Sequence, residues 1–120
     1  MTHEQTFIQQ LDHIGYDPNK YLKDARRRAK QAGYNPHDLS LSDKPAYKLV
    51  MIDNKGKKRY FGKVGYDDFL IYRYLEKIKE APKGYAKEKQ DVFHASHSKI
   101  RGKWRDDQFS PNMLALKINW

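Results

Sequence analysis

Tyr47-Lys48-Leu49-Val50-Met51-Ile52-Asp53-Asn54-Lys55-Gly56-Lys57-Lys58-Arg59-Tyr60-Phe61-Gly62-Lys63-Val64 is the stretch that decides the fold class. Tyr47–Ile52 reads as a strand, bounded by polar turn residues. Asp53-Asn54-Lys55-Gly56 is a turn, with Gly56 placed for a positive φ. Lys58–Val64 returns as the second strand, Gly62 suits a bulge and Gly65 breaks the run. An isolated hairpin is marginal in water, so this one must pack on helices or gain a partner strand. The expected class is therefore α+β: a mainly helical small single domain of about four to five helices with one β-hairpin.

Upstream, Thr2 can cap a first helix over residues 3–14, with Phe7, Ile8, Leu11 and Ile14 at helical spacing and Gly15 as its stop. The second helix is the clearest in the chain. Asp17 sits at the N-cap, Pro18 at the first helical position, and Gly33 at the C-terminal stop. Tyr21, Leu22, Ala25, Ala29 and Ala32 share one face. Residues 35–45, with their Asn-Pro and Lys-Pro steps, read as a loop.

Downstream, Asp67 or Asp68 can cap a third helix running to about Glu80. Leu70, Ile71, Tyr74, Leu75 and Ile78 form its apolar face, which Phe69 and Tyr72 widen. A helix this apolar belongs at the centre. Ala81-Pro82 ends it, and a fourth helix follows over about Lys83 to Ile100, with Ala86, Phe93, His97 and Ile100 on one side. Residues 101–109 form a charged connector. Ser110-Pro111 opens a short terminal helix over 111–118. Alternation of Leu114, Leu116, Ile118 and Trp120 supports a strand as the competing reading, and helix is preferred. Trp120, apolar in so polar a chain, is expected to dock on the core.

The 120 residues fit one domain. Leu, Ile, Val and Phe make up only a fifth of them, but nine Tyr and two Trp add large buried area with hydrated tips, which points to a thin, aromatic-rich core. Lys and Arg number 24 against 15 acids, for a net charge of +9. Both halves share the excess: residues 1–60 carry 12 bases and 7 acids, residues 61–120 carry 12 and 8. The basic field thus belongs to the folded body rather than to a tail, and such a field favours polyanions. The bland alternative is that the charge serves solubility alone. Absence of Cys excludes disulfides, thiolate zinc sites and Cys nucleophiles. No apolar run approaches the ~20 residues that span a bilayer, and the first residues lack a secretory pattern.

The charge concentrates in two places. On the second helix Lys20, Lys23, Arg27 and Lys30 fall on one stripe, with Arg26 beside it, and only Asp24 opposes six bases between residues 20 and 30. A merely solvated face mixes signs, so this row is read as a phosphate-contacting surface. In Lys99-Ile100-Arg101-Gly102-Lys103-Trp104-Arg105 bases occupy every second position, and an extended backbone would point Lys99, Arg101, Lys103 and Arg105 to one side. Trp104 could stack on a base, although a core or lid role is the better reading. Lys57-Lys58-Arg59 at the hairpin turn is a third cluster.

No catalytic constellation emerges. His94 and His97 could chelate a metal, but no third ligand accompanies them. Asp67-Asp68 is better explained by capping, and Asp106-Asp107 suits a following helix dipole. No metal or cofactor is expected. A small metal-dependent nuclease built on these carboxylates ranks third among the functional readings.

Four phrases carry a family likeness: Tyr21-Leu22-Lys23-Asp24-Ala25-Arg26, Phe61-Gly62-Lys63-Val64-Gly65-Tyr66-Asp67-Asp68-Phe69, Ser98-Lys99-Ile100-Arg101-Gly102-Lys103-Trp104, and Ser110-Pro111-Asn112-Met113-Leu114-Ala115-Leu116 closing on Trp120. They resemble a family of short basic proteins encoded by large eukaryotic double-stranded DNA viruses and their virophage-like relatives. The likeness covers residues 17–120, and residues 1–16 stand outside it as an N-terminal helical extension. It implies a viral origin with a virion or genome-associated role, in the virion or in the cytoplasm or nucleus of an infected cell. It supplies no site residues. The expected function is non-enzymatic nucleic-acid binding, with DNA as the expected partner. The alternative is a minor capsid or cement protein that meets acidic capsid neighbours.

Overall fold

The hairpin forms around its turn. In the computed structural model, which describes residues 6–120, Tyr47–Ile52 pairs antiparallel with Lys58–Lys63, from Tyr47 opposite Lys63 to Ile52 opposite Lys58. Asp53 Oδ1 accepts from the backbone N–H of Lys55 and of Lys57, both at 2.9 Å, and Gly56 takes a φ of +78°. The register is the same on either side of Gly62, Tyr47 opposite Lys63 and Leu49 opposite Phe61, so that glycine makes no bulge. Its φ of +78° and its close approach to Asn119 and Lys48 account for it instead.

A third strand lies where the sequence reads as loop. Leu39–Leu41 (β1) pairs antiparallel with Tyr47–Ile52 (β2), and Lys58–Lys63 (β3) completes a sheet ordered β1-β2-β3. Three residues are too few for alternation to register. Tertiary packing supplies what the pattern lacks: Leu39 is wholly buried, and its carbonyl accepts from Arg26 Nε at 3.0 Å. As the middle strand, β2 buries Lys48, Leu49, Val50 and Met51 in succession, so both of its faces are covered.

Among the described residues five α-helices accompany this sheet. Helix α1 (Phe7–Ile14) begins with a capping box between Thr6 and Gln9, and Gly15 ends it at φ +75°. The expected cap at Thr2 lies outside the described residues. Phe7, Leu11 and Tyr16 join the core, so this segment packs with the rest. Helix α2 (Pro18–Gln31) starts at Asp17, whose side chain accepts from Asn19 N–H. Tyr21, Ala25 and Ala29 are wholly buried, while Ala32, expected on that face, is exposed at the C-cap. Helix α3 (Phe69–Lys77) is capped by Asp68 and stops short of Glu80, because the N–H groups of Glu80 and Ala81 both turn back to the Leu75 carbonyl. Helix α4 (Tyr85–His97) is shorter than expected at both ends. Helix α5 (Pro111–Leu114) opens at Ser110 and widens into a π-helical turn over Ala115–Asn119. That turn buries Ile118 and Asn119 side by side, and π turns of this kind recur at functional sites. Trp120, expected to dock on the core, does not reach it: it is half-buried and stacks on half-buried Phe93 of α4, with ring centroids 4.2 Å apart.

Candidate functional site

Outward-facing residues of α2 carry the expected stripe: Lys20, Lys23, Arg27 and Lys30 are exposed. Arg26 does not share that freedom, since it is half-buried and occupied with the Leu39 carbonyl. Arg28 is likewise structural. Its Nε donates to the Ile118 carbonyl at 2.8 Å and its guanidinium sits 4.9 Å from the Phe69 ring. Burial, and then the positive charge of Arg73, hold Arg28 below the ordinary guanidinium range.

Where α2 meets α3 the stripe gains partners that the sequence reading missed. A surface groove of about 280 Å³ is lined by Lys20 and Arg27 from α2 and by Arg73 and Lys77 from α3. Its one acid, Asp24, is already engaged: Tyr16 donates to it at 2.6 Å and Arg27 lies 3.9 Å away. Burial, and then the hydrogen bond to Asp24, raise the Tyr16 pKa far above the ordinary phenol value, so Tyr16 stays a neutral donor. Four cations against one committed carboxylate make an anion-attracting groove.

The second basic segment folds differently from its expectation. Residues Trp104–Asp106 form a 3-10 turn, so the backbone is not extended and the four bases are not aligned. Lys99, Arg101 and Lys103 are exposed. Arg105 curls back, donating to the Ser98 carbonyl at 2.7 Å with its guanidinium 4.2 Å from the Trp104 ring. Trp104 is a buried lid, donating from Nε1 to the Ile100 carbonyl at 3.1 Å. Among the described residues no hydrogen bond or ion pair joins this segment to the α2 stripe.

Both histidines of α4, and Asp107, have structural partners. His94 and His97 each place Nε2 against a backbone carbonyl, of Trp120 at 3.2 Å and of Asn112 at 3.1 Å. Burial lowers the His97 pKa, and the neighbouring charges of His94 and Arg105 push the same way. Asp107 pairs with Arg59 at 3.5 Å.

A second feature was not legible in the sequence. Lys48 and Asp68 form a wholly buried ion pair at 2.9 Å. Asp68 Oδ1 accepts from Ile71 N–H at 3.0 Å, and its Oδ2 accepts from the Tyr21 hydroxyl at 2.6 Å. Burial and the Asp68 charge push the Tyr21 pKa well above the phenol range, so Tyr21 also remains a donor. Asn119 Nδ2 donates to Tyr21 Oη at 2.9 Å and lies 3.4 Å from Asp68 Oδ2. This neighbour fixes the amide orientation, because exchanging its O and N would set a carbonyl against a carboxylate. Asn119 Oδ1 is thereby left without a hydrogen-bond partner, the one such buried side-chain atom among the described residues. An unpaired buried acceptor costs about 1–3 kcal/mol. Lys48, Asp68 and Asn119 of this group also border a cavity of about 640 Å³, together with Tyr47, Tyr66, Phe93 and Trp120.

Comparison with protein-family models, curated proteins and solved structures returns no match to this chain.

Proposed function

We propose that the protein is a non-enzymatic nucleic-acid-binding protein that grips the phosphate backbone through α2 and α3. The observation that carries this reading is the groove in which Lys20, Arg27, Arg73 and Lys77 converge while Asp24 is held by Tyr16. Exposed Lys23 and Lys30 extend the same charged face along α2. Contacts of this kind position a protein on a duplex without reading sequence. The virion or viral genome is the setting, and DNA the partner, that the resemblance to viral proteins implies.

A salt titration of binding to random-sequence duplex DNA tests the reading. Affinity should fall steeply as salt rises. Exchanging Lys23→Glu and Arg27→Glu together should shallow the salt slope by about two units, with the fold intact. No binding at low salt would overturn the proposal.

A contact with acidic protein neighbours in a viral shell is the second reading. Val92 and Ile100, exposed on and just beyond α4, favour it. Locating the protein in purified particles separates the two readings, since a symmetric shell position away from the genome supports the second.

A further inference from the structure

The groove between α2 and α3 leaves a second surface unexplained. Of the nine tyrosines, Tyr16, Tyr21, Tyr34 and Tyr74 commit their hydroxyls to Asp24, Asp68 and the carbonyls of Gln108 and Gly15. Tyr72 and Tyr85 pack edge to face, and Tyr60 donates to Asp43 at 2.6 Å. Among the described residues Tyr47 and Tyr66 have no hydroxyl partner, and theirs are the two most exposed aromatic rings, at 40% and 62%. Their backbones are nonetheless fixed. Tyr47 opens β2 opposite Lys63. Gln10 of α1 brackets the other position: its Oε1 accepts from Gly65 N–H at 2.8 Å and its Nε2 donates to the Tyr66 carbonyl at 3.1 Å. Buried Lys48 donates to that same carbonyl. Anchored backbone thus presents two rings that folding does not bury.

We infer that this surface binds an unpaired nucleic-acid strand, with bases stacked on Tyr47 and Tyr66 and backbone phosphates against Lys44 and Lys63. Lysines interleave with the rings. Lys63 Nζ lies 5.2 Å from the Tyr66 centroid, Lys44 Nζ lies 4.3 Å from the Tyr60 centroid, and the Tyr60 ring is 5.8 Å from that of Tyr47. Neither lysine forms an ion pair among the described residues, and both are exposed. Each ammonium rides on a flexible stem, so it can swing to a phosphate as a base takes the ring face. Two acids lie on this surface. Asp43 is engaged by Tyr60 and by Lys58 at 3.5 Å, which leaves exposed Asp67. Exposed rings beside free cations suit a partner that carries both π faces and negative charge. A duplex is the wrong form of it, because its bases are already stacked on one another and offer no free face. The inference shares its partner class with the groove reading but none of the groove's residues, and it stands without that reading.

Fluorescence anisotropy at low salt tests the inference, with the full chain carrying Lys20→Glu and Arg27→Glu so that the groove is disabled. Labelled oligo-dT should still bind. An abasic strand of the same length, which keeps the phosphates but lacks the bases, should bind at least about tenfold more weakly. Adding Tyr47→Ala and Tyr66→Ala should weaken oligo-dT by a similar factor, whereas Tyr47→Phe with Tyr66→Phe should retain it, because the ring and not the hydroxyl makes the stack. Both positions are exposed, and the abasic comparison needs no change at either of them. Equal affinity for oligo-dT and the abasic strand, no loss on Tyr→Ala exchange, or no oligo-dT binding by the groove-disabled chain would overturn the inference. Duplex DNA separates it from the groove reading. Duplex binding by the unaltered chain, without oligo-dT binding by the groove-disabled one, would overturn only the inference drawn from the tyrosines. The converse result would overturn only the groove reading.

Discussion

The Tyr21 hydroxyl donates to Asp68 Oδ2 across 2.6 Å, tying the first turn of α2 to the residue that caps α3. Lys48 from β2 and Asn119 from the π turn converge on the same carboxylate. Four segments far apart in the chain therefore meet at one buried charge.

Removing one member of the Lys48–Asp68 pair should destabilise the protein strongly. Lys48→Met leaves the carboxylate unpaired in the core, and Asp68→Asn leaves the ammonium so. Each should cost about 3–5 kcal/mol in urea denaturation. The double variant should recover part of that loss, because its two apolar or neutral groups need no charge partner. Additive losses in the double variant would contradict the pairing.

Gly62→Ala should destabilise by more than about 1 kcal/mol. The backbone there has a φ of +78°, and the added methyl meets the Asn119 amide and Lys48 Cβ at 3.2 Å. Gly33→Ala is the matched control: its φ is +93° with nothing within 4 Å. The difference between the two thermal shifts isolates the crowding. Equal shifts would mean that backbone strain alone accounts for Gly62.

Acid stability should depend on Asp53. Backbone N–H bonds from Lys57 and Lys55, together with Arg59, hold its pKa near 2 against an ordinary 3.8. Because the folded value is depressed, its contribution is present above pH 3.8 and is lost as pH falls towards 2. Asp53→Asn should flatten the stability curve in that window and leave its shape near neutrality unchanged. Denaturation midpoints measured from pH 2 to pH 6 check this.

Reversal on α3 should mirror reversal on α2. Arg73→Glu with Lys77→Glu should weaken duplex DNA binding about as much as Lys20→Glu with Arg27→Glu, since the four side chains line one groove. The same exchange at Lys55 and Lys57, in the exposed hairpin turn, should have a smaller effect. Fluorescence anisotropy at low salt measures all three. A turn variant as impaired as the groove variants would point to diffuse charge rather than a groove.

Local chemistry alone determined much of this protein. Asp17-Pro18, Asp68 and Ser110-Pro111 start helices because their side chains satisfy the first free backbone N–H groups. Asp53-Asn54-Lys55-Gly56 sets the hairpin because the turn fixes its register. The α2 stripe was legible because Lys20, Lys23, Arg27 and Lys30 follow helical spacing without outside help. Long-range packing decided the rest. Leu39–Leu41 becomes a strand only against β2, and Arg26 leaves the stripe only because Leu39 lies within reach. Arg73 and Lys77 join Lys20 and Arg27 only when α3 lies beside α2. Lys48 looks like a solvent-facing strand residue, and its burial depends on Asp68, twenty residues on, to balance its charge. The unpaired amide oxygen at Asn119 is less legible still, because it arises only once Tyr21 and Asp68 have fixed the other half of the same group.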